Sequence, residues 1–168
     1  MIEVEITDSM IEAVNGKAKA MGGIKNSITG GKGNLAGFIG EQMALEYFSD
    51  QSVDYSPCKD YDMVVNGVKV DVKTKRRGVE PQPHYTCHIS DTSMHQQTDV
   101  YVFAQVNMRS HPYRGWLLGW LTKAEFLDKA VFKRKGEADG YGHTERADAY
   151  VCTIADLNSF DEAFYELS

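Results

Sequence analysis

The stretch from Lys59 to Lys75, KDYDMVVNGVKVDVKTK, constrains the fold most because it predicts a β-hairpin of defined register. Asn66 and Gly67 separate two apolar-rich runs, and an Asn-Gly pair in that setting is the strongest short-range signal for a two-residue type I′ turn. Side chains alternate between the two faces of a strand, so the turn also decides which residues share a face. The predicted apolar face pairs Val65 with Val68, Met63 with Val70 and Tyr61 with Val72.

The opposite face of the same hairpin is predicted to be charged. It pairs Asp62 with Asp71, Asp60 with Lys73 and Val64 with Lys69. Like charges directly across a hairpin lie ~5 Å apart and repel, so the aspartate pair is unfavourable unless a cation lies between them. The pattern therefore predicts a divalent-metal site. The alternative is a solvated charged face, which is common on antiparallel strands.

Length and composition indicate one soluble domain. The chain has 168 residues, of which 42% are hydrophobic, enough for a single core. No apolar run approaches ~20 residues and the start, MIEVEITDSM, lacks signal-peptide regions, so we expect a cytoplasmic protein without a membrane partner. Cys58, Cys87 and Cys152 are odd in number and widely spaced, which favours a reducing compartment and disfavours both a disulfide framework and a structural zinc site.

Charge is distributed unevenly along the chain. Residues 137–168 hold eight acids against Arg146 alone, a net −7, which leaves residues 1–136 at +1 out of the total of −6. Basic residues cluster at Lys73, Lys75, Arg76 and Arg77, around Lys25 and Lys32, and at Lys133–Lys135. Phosphate contacts are made mainly by lysine and arginine. These clusters are interpreted either as one nucleic-acid-facing side or as ordinary solvated surface.

The rest of the pattern predicts alternating helices and strands. A first helix is expected over 8–21 and a second, LAGFIGEQMALEYF, begins after Asn34, with Gly37 and Gly40 allowing close approach to other backbone. Strands are predicted at HYTCHI, TDVYVFAQV, GWLLGWL and AYVCTI, and Thr122 with Glu125 forms a capping box before KAEFLDKA. SFDEAFYEL is a candidate final helix. Residues 1–168 are thus predicted to form one α/β domain with a core over 34–108 and C-terminal strands and an acidic tail over 137–168.

The order of these parts resembles the PD-(D/E)XK nuclease superfamily, which has the restriction-endonuclease-like fold. The matching residues are Glu41 in the second helix, Asp62 in KDYDMVV, and Asp71-Val72-Lys73 in VKVDVKTK. The likeness covers roughly residues 34–77 by motif, and the layout also looks like small nuclease-like proteins encoded by bacteriophages. Two positions depart from the family pattern: Tyr61 stands where proline is usual, and Asp71 where glutamate is commoner.

The resemblance implies a fold and a mechanism. The fold is a restriction-endonuclease-like core, a mixed central β-sheet flanked by helices. Asp62, Asp71 and the carbonyl of Val72 would bind Mg²⁺ or Mn²⁺, with Glu41 completing the site directly or through water. Lys73 would orient the attacking water or stabilise transition-state charge.

The resemblance also implies a substrate and a setting. The substrate would be nucleic acid, most readily DNA, contacted by Lys75, Arg76, Arg77 and Lys32. The enzyme would be an endonuclease or resolvase-like hydrolase, and the family pattern allows a homodimer. If the protein is phage-encoded, it would act in the cytoplasm of the bacterial host.

Several alternatives stay open from the sequence. Asp60 competes with Asp62 for the metal because it is predicted on the same face, although the register favours Asp62. Lys73 could instead form a salt bridge with Asp60 across the strands. The chain could also be a non-catalytic nucleic-acid-binding or phage interaction protein that keeps the fold, or a phosphoester hydrolase acting on nucleotides.

Overall fold

The described part of the chain contains nine strands, three α-helices and two short 3₁₀ helices, Asp91–Ser93 and Ile154–Asp156. The computed structural model describes residues 1–21, 32–109, 111–138, 144–160 and 164, with backbone only for 17–21 and 32–34. The strands are β1 (Ile2–Glu5), β2 (Val53–Asp54), β3 (Met63–Val65), β4 (Val68–Arg76), β5 (Thr86–Ser90), β6 (Val100–Asn107), β7 (Arg114–Thr122), β8 (Val131–Lys133) and β9 (Ala149–Thr153). The helices are α1 (Asp8–Met21), α2 (Lys32–Tyr47) and α3 (Lys123–Lys129).

The strands form two sheets. The larger sheet has six strands in the order β1-β7-β6-β4-β3-β2, and the smaller has three in the order β5-β9-β8. β4 and β6 pair in parallel, while the other pairs are antiparallel. The predicted α/β class with a mixed central sheet is therefore present.

Both faces of the large sheet are covered. On one face α1 and α2 pack against a cluster that includes Val70, Val72, Val102 and Leu117. On the other face, side chains of the large sheet pack against Phe126 of α3 and against Cys87, Ile89 and Cys152 of the small sheet. Those of the large sheet are Tyr101, Phe103, Trp116, Leu118 and Leu121. Because β4 lies inside this sandwich, polar side chains on it are held in fixed surroundings.

The hairpin register is confirmed for its first three pairs, and its outer part is different. Val65 pairs with Val68, Val64 with Lys69 and Met63 with Val70, around a turn in which Asn66 and Gly67 both have positive φ. Positive φ at both positions is what a type I′ turn requires. However, β3 begins at Met63, so the predicted strand pairs Asp62–Asp71, Tyr61–Val72 and Asp60–Lys73 do not form.

Helix α2 approaches β4 closely at Gly40. A Cβ added there would overlap Thr74 Oγ1, whereas a Cβ at Gly37 would meet nothing within 4 Å. A close approach is thus present at Gly40, but against a side chain and not the expected backbone, and the expectation is wrong for Gly37. Gly40 brings its neighbour Glu41 close to the sheet.

The other predicted elements are mostly present. The helix over 8–21, the strands around β5, β6, β7 and β9, and the Thr122–Glu125 capping box are confirmed, and α2 begins at Lys32, two residues before Asn34. β1, β2 and β8 were not predicted because segments of two to four residues leave too little periodicity to recognise. Residues 22–31 and most of the predicted final helix lie outside the described residues, although Phe164 is buried and stacks on Phe48.

Among the residues with described placement, no helix combines the length and apolar character that crossing a membrane needs.

Candidate active site

Asp62 immediately precedes β3, beside the part of β4 that continues past the first residue of β3. Its amide donates to the carbonyl of Val70 (3.0 Å), and its Oδ2 accepts a hydrogen bond from the amide of Val72 (2.7 Å). The carboxylate thus takes the position that a partner-strand carbonyl would otherwise fill. Since the N–H and C=O of a strand residue point to the same side, the carbonyl of Val72 is directed toward the same gap.

Asp71 and Lys73 lie two residues apart on one face of β4. Asp71 is 3% exposed, and its Oδ2 lies 2.5 Å from Lys73 Nζ. The approach lies outside hydrogen-bond directions, so within the described residues this oxygen has an ionic partner but no hydrogen-bond partner. A buried carboxylate oxygen without a hydrogen bond can still accept one or bind a metal ion.

Glu41 comes from α2 and is held by a tyrosine that the sequence analysis did not select. Tyr55, just after β2, donates its hydroxyl hydrogen to Glu41 Oε2 at 2.8 Å. Burial, this hydrogen bond and the nearby charges of Glu41 and Asp62 raise the pKa of Tyr55 well above its ordinary range. Tyr55 therefore stays protonated and remains a donor, which makes it a positioning residue for Glu41.

The three carboxylates influence one another electrostatically. Burial, with repulsion from Asp71 and Glu41, raises the pKa of Asp62 from 3.8 to about 8. The hydrogen bond from Val72 and the charge of Lys73 oppose this rise but do not cancel it. The repulsion predicted from the hairpin is therefore present, although Asp62 reaches Asp71 from the strand edge rather than from a paired position.

Lys73 has a second partner that sequence reasoning missed. Its Nζ donates to Gln96 Oε1 (3.1 Å), and Gln96 Nε2 donates to the carbonyl of Lys59 (2.9 Å). Asp60, predicted either as a metal ligand or as the ion-pair partner of Lys73, instead accepts the amide of Gln97 (3.2 Å). Gln96 lies 23 residues from Lys73, so no local pattern pointed to it.

The predicted donor set suits a hard divalent cation. Mg²⁺ and Mn²⁺ prefer oxygen ligands, and Asp62, Asp71, Glu41 and the carbonyl of Val72 supply only oxygen. In the described part of the chain, no group of three or more acidic, histidine or cysteine side chains is arranged to hold a metal ion. The fit therefore depends on the chemistry of these oxygens and on the buried Asp71 Oδ2 that lacks a hydrogen bond.

The predicted basic contacts divide between the faces of β4. Lys75 and Arg77 both reach Thr86 on the small-sheet side, whereas Arg76 is exposed and, by alternation, points to the α2 side. Lys32 lies in the first turn of α2, and its side chain is outside the described residues. Lys75 and Arg77 thus continue the row begun by Asp71 and Lys73.

No protein-family model matches the chain, and no curated protein sequence matches it significantly.

Proposed function

We propose that the protein is a metal-dependent nuclease that hydrolyses DNA phosphodiester bonds, as an endonuclease or resolvase-like enzyme. The supporting observation is the grouping of three carboxylates: Asp62 is largely buried, and Asp71 and Glu41 lie close enough to repel it, which together raise its pKa. Carboxylates held together at this cost are typical of sites that bind a cation, and strongly perturbed pKa values cluster at functional sites.

In this proposal, Asp62, Asp71, Glu41 and the Val72 carbonyl hold Mg²⁺ or Mn²⁺. When bound, the ion would supply Lewis-acid activation of the phosphate and of water. Lys73, anchored by Asp71 and Gln96, presents a positive charge beside these oxygens. There it would orient the attacking water and stabilise the negative charge that develops on the phosphate oxygens. Tyr55 fixes Glu41 without itself contacting the substrate.

A restriction-endonuclease-like core is part of the same proposal. Helix α2 precedes the β3–β4 hairpin, β4 carries Asp71 and Lys73 near the sheet centre, and β6 follows in parallel. This order supports the resemblance seen in the motif residues, and the oxygen ligand set supports a phosphodiester rather than an apolar substrate. The adjoining basic residues Lys75 and Arg77 favour a polyanion such as DNA.

The proposal is tested by cleavage of labelled linear, nicked, branched and single-stranded DNA with Mg²⁺ or Mn²⁺. Wild type is compared with Asp71→Asn and Lys73→Met, which remove charge while keeping approximate shape. Cutting that needs the ion and is lost in both folded variants would support the nuclease. Wild type that cuts no DNA or RNA and binds neither ion by calorimetry would refute it. Single nucleotides and longer chains, tested together, separate a nuclease from a nucleotide hydrolase.

A non-catalytic nucleic-acid-binding protein is the second candidate. The observation that favours it is the short ion pair between Lys73 and Asp71, through which the lysine already compensates the buried carboxylate. In that case DNA would bind with an affinity independent of Mg²⁺ and of Asp71→Asn. DNA binding without any cleavage would distinguish it from the nuclease.

A further inference from the structure

Two positive side chains converge on one threonine at the border between the large and small sheets. Lys75 Nζ and an Arg77 guanidinium nitrogen both lie 3.3 Å from Thr86 Oγ1, and they lie 3.4 Å and 3.5 Å from the Thr86 carbonyl oxygen. The two like charges are therefore close together and repel. All four contacts are long, whereas bonds from such cations to an anion are commonly 2.7–2.9 Å. A phosphate oxygen would give both cations a shared charged partner, in addition to His88 for Lys75 and to the Tyr85 ring, whose centroid lies 4.4 Å from the Arg77 guanidinium carbon.

A histidine in the same cluster is fixed by a buried carboxylate. His88 Nε2 lies 2.7 Å from both Lys75 Nζ and Thr86 Oγ1, and its Nδ1 lies 3.0 Å from Glu145 Oε2. A lysine ammonium only donates, so Nε2 accepts and the ring proton is assigned to Nδ1, which donates to Glu145. Glu145 thereby sets the ring orientation, and His88 in turn sets the position of Lys75.

The cluster borders a cavity that adjoins the candidate active site. The cavity has a volume of ≈ 210 Å³, and its lining includes Lys73, Lys75, Thr86, Cys87 and His88. Lys73 and Lys75 are two residues apart on one face of β4, so their Cα atoms are separated by about 6.6 Å. The sugar–phosphate repeat of a nucleotide strand has a similar length. One lysine can therefore serve the reacting phosphate while the other serves its neighbour.

We propose that Lys75, Arg77, Thr86 and His88 form a phosphate subsite that binds the phosphodiester adjacent to the one hydrolysed, so that the substrate strand runs along β4. This inference rests on the proposed nuclease function. It assigns the small sheet a role, because β5 carries Thr86 and His88 and the chain just before β9 supplies Glu145. Lys75 and Arg77 contact the phosphate, and His88 and Glu145 are positioning residues.

Cys87 lines the same cavity, close to both cations. Its hydrogen bond with Cys152 and its burial raise the pKa of the Cys87 thiol well above the ordinary value, while Lys75 and Arg77 act in the opposite direction. A thiol that lines the cavity therefore senses both cations.

The test measures equilibrium binding of a labelled duplex DNA in EDTA, by fluorescence anisotropy over a range of salt concentrations. Lys75→Gln and Arg77→Gln should each weaken binding about tenfold. Each should also reduce the magnitude of the log–log salt slope by about 0.9, because one phosphate contact is lost. Arg76→Gln is the matched control, because it removes the same charge from the neighbouring residue on the other face. It should weaken DNA binding clearly less than the other two substitutions.

Equal losses in all three variants would overturn the subsite, because they would indicate only a general electrostatic field. No loss in Lys75→Gln and Arg77→Gln would overturn it as well. If either variant fails to fold by circular dichroism, wild type is titrated with inorganic phosphate while the ¹⁵N resonances of His88 are followed. Saturable shifts there support the subsite, and unchanged resonances refute it.

A neutral methylphosphonate linkage tests the position of the subsite in the substrate. Placed one linkage from the cut, it should slow cleavage by wild type and have little further effect in Lys75→Gln; equal slowing in both would overturn the assignment. If wild type cuts nothing yet passes the binding tests, the nuclease proposal fails and a phosphate-binding site at Lys75 stands. If the binding tests fail but cleavage is normal, the subsite is refuted and the nuclease proposal stands.

Discussion

Lys73 Nζ lies 2.5 Å from Asp71 Oδ2, and the two residues are neighbours on the same face of β4. The pair joins a nearly fully buried carboxylate to a lysine that is 22% exposed at its side chain. The lysine thus neutralises the charge of the buried aspartate, while its side chain also lines the adjoining cavity. Stability and chemistry consequently depend on the same two residues.

Removing the charge of Lys73 should lower the stability of the folded protein. Lys73→Met leaves Asp71 buried with its ionic partner missing, so we expect a loss of about 1–3 kcal/mol in the free energy of unfolding. The double variant Lys73→Met/Asp71→Asn should recover part of this loss because no buried charge remains. Urea unfolding of wild type, Lys73→Met, Asp71→Asn and the double variant gives the coupling energy. A double variant less stable than Lys73→Met would contradict the pairing.

The rate of DNA cleavage should also depend on Lys73, independently of its effect on stability. If Lys73 stabilises charge on the reacting phosphate, Lys73→Met should lower kcat about 10²–10³-fold with a smaller change in KM. Lys129→Met is a suitable control, since Lys129, at the end of α3, donates a hydrogen bond to the backbone carbonyl of Asp156. A purely structural role for Lys73 would leave kcat intact in whatever fraction remains folded.

Stability should decrease as the pH rises, because of Asp62. The unfolded chain releases this proton near pH 3.8 and the folded chain near about 8, so the folded state holds more protons between these values. The free energy of unfolding should therefore fall with rising pH in this window, by at most about 1.4 kcal/mol per pH unit, and level off above it.

The Asp62→Asn variant isolates this contribution. Asparagine can still accept the amide hydrogen of Val72 but carries no charge, so the pH slope should flatten and the protein should gain stability near pH 8. Asp60→Asn, two residues away, is the control and should keep the wild-type slope. Thermal unfolding from pH 4 to pH 9 measures all three proteins, and a wild-type slope retained in Asp62→Asn would refute the assignment.

Tyr55 should affect metal binding by holding Glu41 in position. Tyr55→Phe removes the hydroxyl that donates to Glu41 Oε2 while keeping the ring. By analogy with groups that orient metal ligands, we expect Mg²⁺ affinity or activity to fall about 10–100-fold. Tyr61→Phe is the matched control, because the Tyr61 ring lies beside Lys69. Calorimetric Mg²⁺ binding unchanged in Tyr55→Phe would show that Glu41 needs no such support.

Gly40 and Gly37 provide an internal comparison on one helix. Gly40→Ala places a methyl group onto Thr74 Oγ1 and should cost about 1–3 kcal/mol through overpacking. Gly37→Ala meets nothing within 4 Å and should stabilise α2 by roughly 0.5–1 kcal/mol through helix propensity. Chemical unfolding of both variants checks the signs, and two stabilised proteins would mean that α2 does not lie against Thr74.

The parts of this protein that the sequence determined by itself are those governed by neighbouring residues. Asn66-Gly67 sets the turn and the first three pairs of the hairpin, and Thr122 and Glu125 cap α3 across three positions. Such features depend on backbone preferences and short-range hydrogen bonds, which any chain with these residues would share.

The tertiary structure decided how the site is assembled. The sequence placed Asp62 opposite Asp71, but β3 begins only at Met63, and Asp62, just before it, accepts the amide hydrogen of Val72 instead. Contacts between distant segments were also beyond local patterns: Tyr55 with Glu41, Gln96 with Lys73, and Glu145 with His88, 57 residues away. These pairs form because packing helices and a second sheet onto β4 buries polar groups, and buried polar groups must find partners wherever the fold supplies them.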